Sequence, residues 1–299
     1  MNQSPSPYSR ILVTGAAGQL GRDICRQLNI RLPEVEVVAA SRKELDLTSE
    51  REIHEVISTL QPGMVINCAA YTAVDAAEDH LADAELINTK APGWIGSACR
   101  KIGARVIHIS TDYVFEGNAP SPRTENDETA PLNIYGKTKL AGEQELLRAQ
   151  PESLILRSSW LYAAHGHNFV QTMLRLGREK DSLRVVDDQI SSPTYTLDLA
   201  NAIISILTTE NWTSGIFHFS NAGETSWCRF AMEIMRFSEL DCKIIPTTTK
   251  EFGAKASRPL YSKLDCTKLK RVFHIESRHW QEALVECLAE IKKKDLNHG

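Results

Sequence analysis

The chain has 299 residues, 42% of them hydrophobic and 24% charged, a mix that excludes a disordered or collagen-like protein and suits about two domains. Its 34 basic and 38 acidic residues leave a net charge of −4, so no bulk cationic field favours nucleic acid or an anionic membrane surface. No apolar run approaches the roughly 20 residues that span a bilayer.

Met1 to Arg10 is polar, with two Ser-Pro steps and no apolar centre, and reads as a flexible lead-in rather than a signal peptide. Arg10 to Thr14 then reads as a strand, and Leu20 to Leu28 has helical spacing. Glu36 to Ala39 is a second strand, Glu50 to Leu60 a helix, and Met64 to Ala69 a third strand. A long helical stretch from about Ala82 to Lys101 precedes the strand Arg105 to Ser110. Asn133 to Ala149 is helical and Ser153 to Arg157 is a strand. Continuous apolar strands alternating with helices predict a Rossmann-like, doubly wound parallel α/β sheet.

After Trp160 the alternation loosens. Helices are expected at Phe169 to Arg178, Thr196 to Leu207, Trp227 to Phe237 and Gln281 to Lys293, with strands at Leu183 to Val186 and Gly215 to Phe219. This divides the chain into a nucleotide domain over 8–160, joined by parts of 183–220, and a smaller C-terminal substrate lobe from 161–182 and 221–299. The two are interleaved.

Gly15-Ala-Ala-Gly18-Gln19-Leu20-Gly21 follows the first strand and opens the first helix. Glycines there let the backbone turn tightly and approach a pyrophosphate at the helix N-terminus. The spacing is G-x-x-G-x-x-G, and its position after the first strand carries the dinucleotide reading. The second strand ends Ala39-Ala40-Ser41-Arg42, with no acid for the ribose hydroxyls. An arginine there accommodates a 2′-phosphate, so NADPH is expected, with NADH still possible.

Tyr135 and Lys139 stand at i and i+4 on one helix face. A nearby ammonium favours a phenolate and lowers the phenol's pKa, so the pair suits proton donation to a carbonyl oxygen. Ser110 and Thr111 end the strand before it, where a hydroxyl can hold a substrate oxygen, because open α/β sheets bind ligands at the carboxyl ends of their strands.

These segments resemble an extended short-chain dehydrogenase/reductase, and most closely the dTDP-4-dehydrorhamnose reductases of the RmlD type. Beside the glycine loop and the Tyr–Lys pair, the resemblance runs through Asn67 to Asp75, Ser110 to Phe115, Pro131 to Glu143 and Arg157 to Tyr162. It continues through Asn168-Phe-Val, Asp188 to Thr194, Gly223 to Trp227 and Ser257-Arg258-Pro259, covering nearly all of Arg10 to Leu288. The resemblance implies NAD(P)H-dependent reduction of the C4 ketone of a nucleotide sugar.

It also implies residue roles. Gly15, Gly18, Gln19 and Leu20 would meet the cofactor phosphates, and Asp46 and Leu47 the adenine side. Ala70, Tyr71 and Thr72 would flank the nicotinamide ribose. Thr111, Tyr135 and Lys139 would be catalytic. Asp112, Trp160 and Arg258 would face the substrate. The departures are Cys68 within the Asn67 run and the Ser41-Arg42 strand end. The superfamily's dehydratases carry Asp then Glu after the catalytic Thr; here Tyr113 follows Asp112, which disfavours elimination. A related branch binds NADP as a non-catalytic regulatory subunit, a reading that the intact Thr111, Tyr135 and Lys139 oppose.

Seven cysteines, an odd number without C-x-x-C spacing, suggest buried thiols in a reducing cytoplasm rather than a disulfide framework or zinc site. His165-Gly166-His167 has no acid or cysteine clustered beside it in sequence, so a mobile loop is expected there and no metal site. Trp227 is expected in the core. A nucleotide-sugar substrate and a homodimer are the expected partners, with no nucleic acid or membrane.

Overall fold

The computed structural model describes residues 8–118, 121–209 and 211–298; the expected lead-in lies mostly outside them. In chain order it contains β1 (Arg10–Thr14), α1 (Gln19–Arg31), β2 (Glu36–Ala40), α2 (Glu50–Leu60), β3 (Met64–Asn67), α3 (Ala91–Ile102), β4 (Arg105–Thr111), α4 (Ile134–Ala149) and β5 (Leu154–Ser158). Then follow α5 (Phe169–Glu179), β6 (Ser182–Val186), α6 (Thr196–Leu207), β7 (Gly215–His218), α7 (Trp227–Phe237), β8 (Lys243–Thr247), α8 (Thr267–Phe273) and α9 (Trp280–His298), with a few shorter pieces between them.

Six strands form one parallel sheet in the order β7-β5-β4-β3-β1-β2. Alternate side chains feed opposite faces, as the pleat requires. Ile11, Val13, Ile66, Ile107 and Leu156 pack under α1 and α6, with Ile24, Leu28, Leu199 and Ile203. Leu12, Val65, Val106 and Ile155 pack on the other face against Ile53 and Ile57 of α2, Ile95 and Cys99 of α3, and Leu146 of α4. This two-sided burial is why the strands read as unbroken apolar runs. The chain leaves β1 for β2 on one side and returns to β3 on the other, so a crevice opens at the carboxyl ends of β1 and β3.

A second apolar cluster joins Val170 and Leu174 of α5, Phe230 and Ile234 of α7, and Trp280 and Leu284 of α9. It lies against a two-stranded parallel pair, β6 with β8. β8 escapes a sequence reading because Pro246 interrupts its apolar run, and proline is tolerated here only because the pair has free edges. The third strand ends at Asn67 rather than Ala69, and the long helical stretch contains one π-turn, Leu86–Lys90. All seven cysteines are free; Cys99, Cys228, Cys242 and Cys287 are buried and the other three half-buried. Among the described residues no helix is long and apolar enough to cross a membrane.

Candidate active site

The carboxyl ends of the strands enclose a cleft of about 660 Å³. One wall is the glycine loop. Gly15 has φ +65°, and a Cβ on it would stand 2.7 Å from the Ala69 backbone nitrogen. A Cβ on Gly21 would stand 2.3 Å from the Gly15 carbonyl oxygen, so this glycine lets α1 start hard against the loop. Gly18 caps α1 without a side chain, and its N–H donates to Gly15 O at 2.9 Å. The helix N-terminus is thus bare toward the cleft, the form a phosphate needs.

Gly15, Gly18, Gln19, Leu20, Ser41, Arg42, Asp46, Leu47, Ala70, Tyr71, Thr72, Tyr135 and Lys139 all line this one cleft. Gln19 Nε2 donates to His167 O, while its Oε1 is buried without a partner. Tyr71 is pinned by Asn88 of the π-turn, which accepts from Tyr71 N at 2.8 Å and donates to Tyr71 O. A lone asparagine inside a helical stretch gave no sequence signal of this role. π-turns recur where helices are bent to serve a site.

α4 begins at Asn133, whose side chain accepts from Gly136 N and donates to Ser257 O. Tyr135 stands in the first turn, Lys139 in the next and Glu143 in the third, on one face. Thr111, at the end of β4, donates to Asp112 Oδ1 at 3.2 Å and accepts from Tyr113 N at 3.1 Å, and the Tyr113 ring meets the Tyr135 ring edge-on at 5.7 Å. Burial pushes Tyr135 up to about 12, with the nearby Thr111 hydroxyl opposing and Asp112 adding to the rise. Burial also draws Lys139 down to about 8 against Glu143 and Cys68. Lys139 is not among the groups that shift the phenol here: its Nζ bonds Ile109 O at 2.7 Å and sits 3.2 Å from His108 Nε2.

Ser110 does not face the cleft as a free hydroxyl. It donates to Glu143, which also receives Arg157 Nε at 2.9 Å and Nη2 at 2.6 Å in a buried ion pair. This ties β4, α4 and β5 together directly behind Thr111 and Lys139. Glu143 lies at i+4 from Lys139, a spacing legible in the sequence, but nothing there pointed to Arg157 as its partner. Asp112 is buried and accepts from Ser262 at 2.5 Å; burial raises it to about 7, with the Ser262 and Thr111 bonds opposing.

Three expected contacts are engaged elsewhere. Ser41 bonds Glu44 through both its N–H and its hydroxyl, and exposed Arg42 is the cation beside it that lines the cleft. Trp160, in the left-handed region at φ +47°, stacks on Trp227 with centroids 3.6 Å apart and planes at 10°. One face of the ring is thereby covered, and Trp227 is half-buried rather than core. Arg258 makes a bidentate pair with Asp75 at 3.1 and 2.7 Å and also donates to Ala256 O at 3.0 Å. Asp75 is lowered by that pairing. Pro259 packs against Gly117, at φ +82°, where a Cβ would stand 2.1 Å from the Pro259 Cβ.

The His165-Gly166-His167 loop is docked rather than loose: His165 Nε2 lies 3.0 Å from Asp23, and Gly166 and His167 join the cleft wall. The described residues contain no group of three or more His, Cys, Asp or Glu poised for a metal.

A glycine-cradled cleft at the carboxyl ends of a parallel sheet, with Tyr135 and Lys139 in its lining, is the architecture of the extended short-chain dehydrogenase/reductase class of oxidoreductases. Within it, residues 9–293 match the RmlD substrate binding domain, and the chain belongs to that family. It is 44% identical over 282 residues to the spore coat polysaccharide biosynthesis protein SpsK of Bacillus subtilis, covering 94% of this chain and 98% of that one. It is 40% identical to a dTDP-4-dehydrorhamnose reductase of Streptomyces griseus, over 95% and 94% of the two chains. A solved Bacillus anthracis dTDP-4-dehydrorhamnose reductase in complex with NADP superposes with TM-score 0.91 at 39% identity, covering 94% and 99%.

Proposed function

We propose that the protein reduces the C4 ketone of dTDP-4-dehydro-β-L-rhamnose to dTDP-β-L-rhamnose with NADPH, the last step of dTDP-rhamnose formation. The observation that carries this reading is the placement of Tyr135 and Lys139, one turn apart on one face of α4, in the lining of the glycine-cradled cleft. The cradle suits a dinucleotide: bare N–H groups at the start of α1 for the pyrophosphate, and Arg42 beside the second strand for a 2′-phosphate.

NADPH, when bound, supplies the hydride. Thr111 and Tyr135 hold the sugar oxygen, and the phenol gives it a proton as the carbonyl becomes an alcohol. A phenol raised to about 12 is fully protonated at neutral pH, which is the form a reduction consumes. Lys139 and Glu143 lie behind it, and Asn88 fixes the Ala70–Thr72 wall. Elimination is disfavoured because the position after Asp112 is Tyr113, whose phenol is raised by burial and is no base at neutral pH.

In this reading 161–182 and 221–299 form the substrate lobe, and Asp112, Trp160 and Arg258 edge the sugar side. Seven free thiols support a cytoplasmic setting, and a homodimer is the expected assembly. The test is NADPH oxidation with and without the 4-keto sugar nucleotide, with the product identified by NMR. Ketone-dependent oxidation yielding the rhamnosyl nucleotide supports the reading; oxidation indifferent to the sugar overturns it.

A further inference from the structure

Gln19 and Asp23 stand at i and i+4 of α1, so they share one face at the start of the helix that borders the glycine loop. That face is occupied. The turn 165–167, between β5 and α5, seats on it at two points. His165 Nε2 meets Asp23 Oδ1 at 3.0 Å, and Gln19 Nε2 donates to His167 O at 3.2 Å. Asp23 is itself fixed: it is 4% exposed, and its other oxygen accepts from Thr196 Oγ1 at 2.5 Å, at the start of α6. Behind the turn, Asn168 caps α5 and donates to both Ala163 O and His165 O. Between these anchors Gly166, at φ +70°, lies against the Gln19 side chain. Gly166 and His167 line the cleft together with Gly15, Gly18 and Gln19.

The joint between turn and helix is a sparse one. A carboxylate only accepts, so His165 gives Asp23 the hydrogen on Nε2. Nδ1 of His165 and Oε1 of Gln19 are buried in the same joint without a partner. Buried polar atoms in a permanent seam are almost always paired, and two left over within one short contact mark a joint that parts. Gly166 and His167 are exposed, so little apolar burial adds to the two bonds that hold the turn. A group bound at the start of α1 shares that end of the cleft with this turn.

We propose that residues 165–167 form a clasp at the phosphate end of the cleft, fastened to α1 by Asp23–His165 and Gln19–His167, and that opening this joint governs how fast the dinucleotide leaves. His165 is then a positioning residue: it acts through the turn, while Gly166 and His167 meet the cofactor side. The inference rests on the reading of the cleft as a dinucleotide site. A clasp holds a ligand only through contacts made while it is closed, so its signature is in release.

The test measures release by stopped-flow fluorescence, chasing bound NADPH with excess NADP⁺. His165→Ala removes a hydrogen bond to a charged group and is expected to speed release about tenfold. His165→Gln, whose amide can donate to Asp23, is expected to restore most of the wild-type rate; a role confined to filling space would show no such difference between the two variants. Hydrogen exchange on the wild type needs no variant to fold: the backbone amides of 164–168 are expected to exchange more slowly with NADPH bound. The proposal is overturned if folded His165→Ala releases NADPH at the wild-type rate, if His165→Gln releases it as fast as His165→Ala, or if exchange over 164–168 is the same with and without NADPH. Failure of the dinucleotide reading would appear separately, as a wild type to which NADPH does not bind.

Discussion

Truncating Glu143 to alanine removes the acceptor for three hydrogen bonds at once: Arg157 Nε, Arg157 Nη2 and Ser110 Oγ. Both charged side chains are at most 3% exposed, and Arg157 Nη1 already lacks a partner. The variant therefore leaves a buried guanidinium uncompensated, a change that costs about 3–5 kcal/mol. Unfolding entropy of about 2.1 cal/mol/K per residue gives roughly 0.6 kcal/mol/K for 299 residues, so the melting temperature should fall by about 5–8 °C. Replacing both partners with apolar residues, Glu143→Leu with Arg157→Met, removes the stranded charge and should recover most of the loss. Calorimetry on the wild type, the single variants and the double variant decides it. A loss under about 1 kcal/mol in Glu143→Ala, or a double variant no more stable than the single, would refute the argument that this pair is an obligate unit behind the site.

Tyr135→Phe should lower kcat by about 10²–10⁴-fold while NADPH affinity stays near wild type, because the phenol's contribution is a proton; steady-state kinetics and cofactor titration check both. Arg42→Ala should weaken NADPH by up to about 1 kcal/mol, or roughly fivefold, the small size following from the exposure of Arg42, and leave NADH unchanged. Equal changes for the two cofactors in a binding titration would remove Arg42 from the 2′-phosphate. Asp112 keeps its proton to about 7 when folded but only to about 4 when unfolded, so the native state binds more protons in that window and this carboxyl makes stability fall as pH rises through it. Asp112→Asn deletes the effect, so its stability relative to wild type should grow by up to about 1.4 kcal/mol per pH unit between about 5 and 7; a pH-independent difference in urea unfolding would contradict the burial argument.

The sheet was legible in the sequence because its strands are buried on both faces and its glycine loop obeys a steric rule. Ile11, Leu12 and Val13 have no polar alternation to mislead, and Gly15 and Gly21 stand where any Cβ would strike backbone. Tyr135 and Lys139 were legible as one helix face, since i and i+4 spacing needs no tertiary information. What was not legible depends on pairing across elements. The phenol and amine are a turn apart, yet Lys139 is taken up by His108 and Ile109 of β4, and no local pattern predicts that choice. The same holds for Glu143 with Arg157, Arg258 with Asp75, and Trp160 with Trp227, each joined only when distant segments meet. β8 was hidden by Pro246, whose penalty vanishes in a two-stranded pair.

The central claim is that hydride reaches C4 of the sugar in this cleft while Tyr135 supplies the proton. It is tested most directly with NADPH doubly deuterated at the nicotinamide C4, incubated with dTDP-4-dehydro-L-rhamnose and the protein. One deuterium on C4 of the product rhamnosyl group, read by NMR, with formation slowed about 10²-fold or more in Tyr135→Phe, is the predicted result. A product without deuterium at C4, or one formed as fast by Tyr135→Phe, would contradict it.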